Sequence, residues 1–337
     1  MANGRVIAPN VQATSALSTE DRDLERLATA LPLTAVSIET GDEPVPVGLI
    51  SDSESLHARL REHWKCTTAK PRSTVVALAA PAASHQLDER LDQGRYWRPG
   101  GSQLWMTAAT SYTEVKVAVR GLASFSAGAG VLFAHGCALS LGIDGRRHGV
   151  LVMGSSGAGK TTLVSSVKHD GGLEPRIVND DWGPVGLDGA VAHYTGELKL
   201  HMKAQSILAF NSAYEFPRTP APSDRLLVDP FSVFGEDVPA SATALRHVIF
   251  IIRNRGERPG VLEGRVDLDW LARGQYSPFY DANEPFLNGS LLLRDERRIE
   301  IERQKYRRLL DSCRVGLINN TGTPDQLKRW FLQILGG

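Results

Sequence analysis

The residues Gly154-Ser155-Ser156-Gly157-Ala158-Gly159-Lys160-Thr161 follow the pattern G-x-x-x-x-G-K-[ST], and the apolar run Val150-Leu151-Val152-Met153 leads into them. Such a stretch binds phosphate because glycines let successive backbone N–H groups curl around the oxygens, where side chains would block the approach. In that arrangement Lys160 reaches the β- and γ-phosphates and the Thr161 hydroxyl faces Mg²⁺. Thr162 stands next to them at the start of a helical pattern running to Val167, whose N-terminal dipole would add to the phosphate field. A nucleoside triphosphate is therefore the expected ligand, and the motif leaves ATP, GTP or pyrophosphate open as donor.

Asp180 and Asp181 follow twenty residues beyond Lys160, at the polar end of the apolar segment Arg176-Ile177-Val178-Asn179. In phosphoryl transfer one carboxylate holds Mg²⁺, while a second accepts the proton of an attacking hydroxyl. Neighbours on a strand point to opposite faces, so the pair serves both tasks only if the strand ends there and the backbone turns. Trp182-Gly183-Pro184 suits such a turn. His135-Gly136 lies upstream among apolar residues, and His148 opens the strand that feeds the loop. Glu197 is a weaker candidate for a metal contact. Arg253 and Arg255 follow an apolar strand and are candidates for a cation over the transferring group. Residues 274–281 combine aromatic and Gly/Pro positions in a way that suits an acceptor lid.

The elements that must hold these groups can be read in outline. Residues 1–17 lack periodicity and read as a loose tail. An α+β section over 18–125 opens on a capped helix through Leu24, Leu27 and Leu31. Strands are expected at Ala35 to Glu39 and Ser73 to Ala80, with a helix between Ser53 and Cys66. Glu114 to Val119 alternates and is expected to be a strand. From residue 126 to 337 a nucleotide domain is expected. Val131 to Leu141 and Arg147 to Met153 form a hairpin around Gly142-Ile143-Asp144-Gly145, leading straight into the loop. Later strands are expected at Leu198 to Met202, His247 to Ile252 and Val315 to Asn319. Helices are expected at Glu300 to Leu310 and from the capping box Thr323-Pro324-Asp325-Gln326 onward.

The 337 residues, 42% hydrophobic, are enough for one large domain or two ordinary ones. Lys plus Arg and Asp plus Glu both number 38, and no dense basic block offers a footprint for nucleic acid or anionic lipid. No run is long enough for a membrane span and the first residues lack a secretory signal, so a cytoplasmic location is the expectation. Cys66, Cys137 and Cys313 are far apart, without metal-ligand spacing, and read as core thiols. Homo-oligomerisation is left open.

His135-Gly136 on a strand, a turn, a second strand, the glycine-rich loop and Asp180-Asp181 close behind resemble the catalytic domain of HPr kinase/phosphorylase. That family shares its nucleotide fold with phosphoenolpyruvate carboxykinases. The similarity covers roughly residues 130–185 and continues more weakly to about 255. It implies an α/β, phosphate-loop core with Asp180 as general base and with Asp181 and Thr161 as Mg²⁺ ligands. It also places His135 near Asp180, helping to keep it charged. Three features depart from the family: Gly196-Glu197-Leu198-Lys199 replaces an acidic strand with an Arg-Gly pair, Thr162 stands where an acidic residue is common, and the region before residue 130 does not read as the family's N-terminal domain. The acceptor is therefore expected to be a small hydroxyl compound, such as a hydroxy amino acid, or a Ser/Thr-containing peptide, rather than HPr. The alternatives are an ATPase switch that hydrolyses without an acceptor and a degenerate fold used for protein interaction.

Overall fold

The computed structural model describes residues 29–41, 43–78, 89–91, 95–97, 103–107, 112–143, 145–155, 157–170, 172–235, 240–273 and 296–336. Most of the helix expected before Leu31, the turn residue Asp144 and the expected acceptor lid at 274–281 lie outside them, as does Ser156 of the loop. The described chain is a mixed α/β structure built on two large sheets.

The first sheet has the order Leu33–Ile38, Val45–Ser51, Ser73–Leu78, Gln103–Thr107, Arg95–Trp97, Glu89–Leu91. Its middle strands run parallel and both edges are antiparallel. The helix Glu54–His63 buries Leu56, His57, Leu60 and His63, a spacing that defines one face, and its first and last turns carry Glu54 and Arg61, which complement the helix dipole.

Glu114 to Val119 is not a strand but the interior of a helix, Tyr112–Ser126. The alternation misleads because the helix is buried around most of its circumference. Val115, Val117, Ala118, Val119 and Leu122 are buried, and so are Glu114, Lys116 and Arg120 between them. Charged residues that look like a solvated face are instead taken inside, and polarity then no longer reports the helical period. This helix packs on Val45–Ser51 and Ser73–Leu78, in a core that also takes in Phe133 and Trp182 from the following part of the chain.

The second sheet has the order Arg176–Asn179, Gly136–Ile143, Arg146–Gly154, Ala242–Ile252, Val191–His193, Gly183–Gly186, Val131–Ala134. Arg314–Asn319 pairs in parallel with Ala242–Ile252, and Gly260–Leu262 pairs with Arg314–Asn319. The strand expected from Val131 to Leu141 is thus two strands, broken at His135. Val131–Ala134 pairs with Gly183–Gly186, whereas Gly136–Ile143 pairs with Arg146–Gly154. The chain crosses closely at Gly136, where a Cβ would stand 2.6 Å from the Val152 carbonyl oxygen.

The hairpin before the loop matches expectation, as do the later elements within a few residues: Leu200–Lys203, Ala242–Ile252, Glu296–Ser312, Arg314–Asn319 and Pro324–Gly336. The capping box is formed in both directions, with Thr323 N–H donating to Gln326 Oε1 at 2.9 Å and Gln326 N–H donating to Thr323 Oγ1 at 3.3 Å. Of the three free cysteines only Cys137 is a core thiol; Cys66 is exposed and Cys313 intermediate.

Candidate active site

Five strand ends meet in one row. Asn179 lies opposite Ala138, Gly136 opposite Met153, Gly154 opposite Ile251, and Ile252 opposite Asn319. Hydrogen-bond register alone therefore brings the glycine-rich loop, His135 and the Asp180-Asp181 pair to the same edge of the sheet. Ligand sites of α/β sheets form at such carboxyl-end edges.

The loop turns from the strand Arg146–Gly154 into the helix Lys160–Lys168. Ala158 N–H donates to the Ser155 carbonyl at 3.0 Å, and Leu163 N–H to Gly159 at 2.9 Å. Gly159 has φ 111°, and a Cβ there would stand 2.4 Å from Asn320 Nδ2. Asn320 clamps the loop by donating to the Ala158 carbonyl at 2.7 Å, and its own carbonyl accepts from Arg253 Nε at 3.3 Å. Arg253, expected over the transferring group, is thus exposed and bonded to the Asn320 backbone. Arg255 is exposed. Lys160 Nζ donates to the Gly154 carbonyl at 2.6 Å, so the ammonium is folded over its own loop. Burial pushes its pKa down, against the opposing charges of Asp181 and Asp180. Thr161 is partly buried in the first helical turn and Thr162 is exposed. Asn320→Ala removes the clamp and leaves a buried carbonyl without its donor. We expect a loss of about 1–3 kcal/mol, read as a lower urea midpoint, together with weaker nucleotide binding.

The strand Arg176–Asn179 ends where the two-task reading requires. Asn179 fixes the turn by accepting from Ala138 N–H at 3.2 Å and donating to the His193 carbonyl at 3.3 Å. The two carboxyls then meet different surroundings. Burial first, and the neighbouring Asp181 charge second, push Asp180 up to about 7, partly offset by Lys160. Surrounding protein also opposes ionisation of Asp181, yet the hydrogen bond and charge of His135, with the charges of Arg120 and Lys116, hold it well below the usual carboxylate range. One carboxyl is thus poised to exchange a proton near neutrality while its neighbour stays an anion.

His135 corrects one expectation. Its Nε2 bonds Asp181 Oδ1 at 3.2 Å, so it serves the neighbour of the carboxylate it was expected to support. Asp181 is also held by Arg120, whose Nη1 donates to Oδ2 at 3.2 Å while Nη2 donates to Glu197 Oε1 at 2.6 Å. Glu197 is thus engaged by a guanidinium, with His63 Nε2 at 3.6 Å on its other oxygen. His148 stands at the far end of its strand, its ring 6.3 Å from that of buried His247. It takes no part in the row.

Arg120, His63 and Asn320 are the site residues that sequence reasoning missed. Arg120 was hidden by the helix expected as a strand, and Asn320 by lying in the short irregular stretch between the last strand and the last helix. The sequence signal available for Arg120 was the spacing of Tyr112, Lys116 and Arg120, four residues apart on one helical stripe.

Burial alone raises Glu197, but the Arg120 charge and His63 overcome it and hold the carboxyl at about 2, against 4.5 unperturbed. A lowered carboxyl contributes stability above its unfolded pKa and loses it as pH falls through the folded one. That difference corresponds to roughly 3 kcal/mol. We therefore expect the stability advantage of wild type over Glu197→Gln to be full at pH 6 and to shrink steadily between pH 4.5 and 2, in urea titrations at each pH.

A scan against protein-family models and a search of curated proteins return no match for this chain. Among the described residues, no group of three or more His, Cys, Asp or Glu side chains forms a metal cage, and no helix is long and apolar enough to cross a membrane. The donor set still fits Mg²⁺ bound with a triphosphate. Mg²⁺ takes one or two carboxylates and completes its shell with phosphate oxygens and water, and Asp181 supplies an anion whose side chain is 47% exposed. At the loop, Gly157 and Gly159 take φ 79° and 111°, which glycine permits, and the Lys160 side chain lies across the turn.

Proposed function

We propose that the protein is a Mg²⁺-dependent phosphotransferase that moves the γ-phosphate of ATP to a hydroxyl group of a small molecule, such as a hydroxy amino acid, or of a Ser/Thr-containing peptide. The observation that carries this reading is the convergence of the glycine-rich loop, Lys160 and the Asp180-Asp181 pair at one sheet edge, where burial and the Asp181 charge push Asp180 up and His135 and Arg120 hold Asp181 down. Pairs of titratable groups pushed apart by their surroundings mark acid/base assignments. The glycine-rich loop and its resemblance to the HPr kinase/phosphorylase core support the donor half of the same reading.

The glycine-rich loop, with the Lys160 ammonium, would hold the triphosphate. Thr161 and Asp181 would hold Mg²⁺, which would supply charge neutralisation at the transferring phosphoryl group. His135 orients Asp181. Asp180 takes the proton of the acceptor hydroxyl as its oxygen bonds to phosphorus and the bond to the β-phosphate oxygen breaks, so that ADP leaves. Run in reverse with inorganic phosphate, protonated Asp180 returns the proton, which is phosphorylase chemistry.

Incubating the full chain with ATP, Mg²⁺ and a panel of hydroxy amino acids, sugars and Ser/Thr peptides tests this by mass spectrometry. One acceptor class is expected to gain phosphate with matching ADP release. ATP consumption with inorganic phosphate as its only product would replace the transferase reading with a hydrolase.

A further inference from the structure

Resting on the reading of Asp181 as a Mg²⁺ ligand, we infer that Arg120 is its positioning residue, so that the helix Tyr112–Ser126 of the N-terminal section completes the phosphotransfer site. The guanidinium spans two carboxylates, Glu197 at 2.6 Å and Asp181 at 3.2 Å, with a side chain only 9% exposed. Burying a guanidinium is costly, and a pair that served stability alone is often replaced by apolar residues without loss. Glu197, itself 6% exposed, already pairs the charge within the core. A stabilising role therefore accounts for the inner arm of Arg120 but not for the outer one, which reaches a carboxylate open to solvent.

The surroundings fix where that outer arm points. The guanidinium lies 5.2 Å from the Trp182 ring centroid, and Trp182 stacks on Phe133 at 4.3 Å. Glu197 lies against His63, which bonds the Tyr112 hydroxyl at 2.5 Å and stacks on Trp64 at 3.9 Å. Tyr112 and Arg120 come from the same helical stripe as buried Lys116, so one rigid element presents two members, Tyr112 and Arg120, of the chain Tyr112–His63–Glu197–Arg120–Asp181. At its far end Asp181 receives one donor on each oxygen, Arg120 on Oδ2 and His135 on Oδ1. Two donors fix the plane of the carboxylate, and each oxygen keeps a further lone pair for a cation. Outer partners of this kind orient metal-binding carboxylates, and their loss typically changes metal affinity or activity by about 10–100-fold.

The test is equilibrium binding of a non-hydrolysable ATP analogue to the full chain, with and without Mg²⁺. Arg120→Lys keeps the charge but presents a single point in place of the planar fork. The paired change Arg120→Met with Glu197→Gln removes both buried charges together and carries the same test should Arg120→Lys unfold. Wild type is expected to bind the analogue more tightly with Mg²⁺. In the variants, metal-free binding stays at the wild-type level, because the loop is untouched, while the Mg²⁺ needed for half the enhancement rises about 10–100-fold. A merely structural role would weaken both modes or neither. An undiminished Mg²⁺ response in a folded variant overturns the positioning role and leaves the phosphotransferase reading standing. A wild type whose analogue binding ignores Mg²⁺ overturns the metal-ligand reading and this inference with it.

Discussion

Asp180→Asn is expected to lower phosphotransfer turnover by about 10²–10⁴-fold, the usual worth of a positioned general base, while nucleotide binding stays near its wild-type strength. The amide is nearly isosteric with the carboxylate, so the turn after Asn179 is preserved and only the proton acceptor is lost. A base pushed up to about 7 is matched to neutral pH, because about half of it is ionised there and it is still basic enough to take a proton. The same shift has a consequence for folding. A carboxyl raised above its unfolded value destabilises the fold wherever it is ionised, so in metal-free protein above pH 7 Asp180→Asn is expected to melt higher than wild type. Loss of activity with a gain in stability is the signature of a strained functional group rather than a structural one. Thermal melts in chelator, alongside steady-state rates, separate the two effects.

Lys160→Ala is expected to abolish measurable nucleotide-dependent chemistry, with a fall of about 10³-fold or more, in line with the loss of one preorganised charge at the reacting phosphoryl group. Unlike the Asp180 change, this one strikes binding as well. The ammonium is held at the loop by the Gly154 carbonyl, where burial lowers its pKa and the charges of Asp181 and Asp180 counter that shift. Phosphate oxygens would satisfy that charge better than a carbonyl does. Nucleotide affinity and turnover should therefore fall together, and titration calorimetry with the non-hydrolysable analogue reads the first directly.

The loop, its feeding hairpin and the carboxylate pair were legible in the sequence because each is local. Glycine spacing, a two-stranded apolar pattern and an acidic strand end all fall within a few tens of residues. The polar network behind the pair was not. Arg120 meets Asp181 across 61 positions and Glu197 across 77, and no short-range pattern reports such pairing. The helix that carries Arg120 was read as a strand for the same reason: its Glu114, Lys116 and Arg120 are buried, so hydrophobicity followed tertiary partners rather than the helical period. His135 is expected near Asp180, and its ring bonds Asp181, the next residue along. One strand was expected where the chain changes neighbours, and the break at His135 turns the ring toward Asp181.

The most direct test of the central claim follows γ-labelled ATP with Mg²⁺ through a single turnover in wild type and Asp180→Asn, separating acceptor from inorganic phosphate at each time. The proposed chemistry predicts that label appears on the acceptor in wild type and that Asp180→Asn, with nucleotide still bound, transfers it at least 10²-fold more slowly. Label found only in inorganic phosphate, or transfer by Asp180→Asn at a rate near that of wild type, would contradict it.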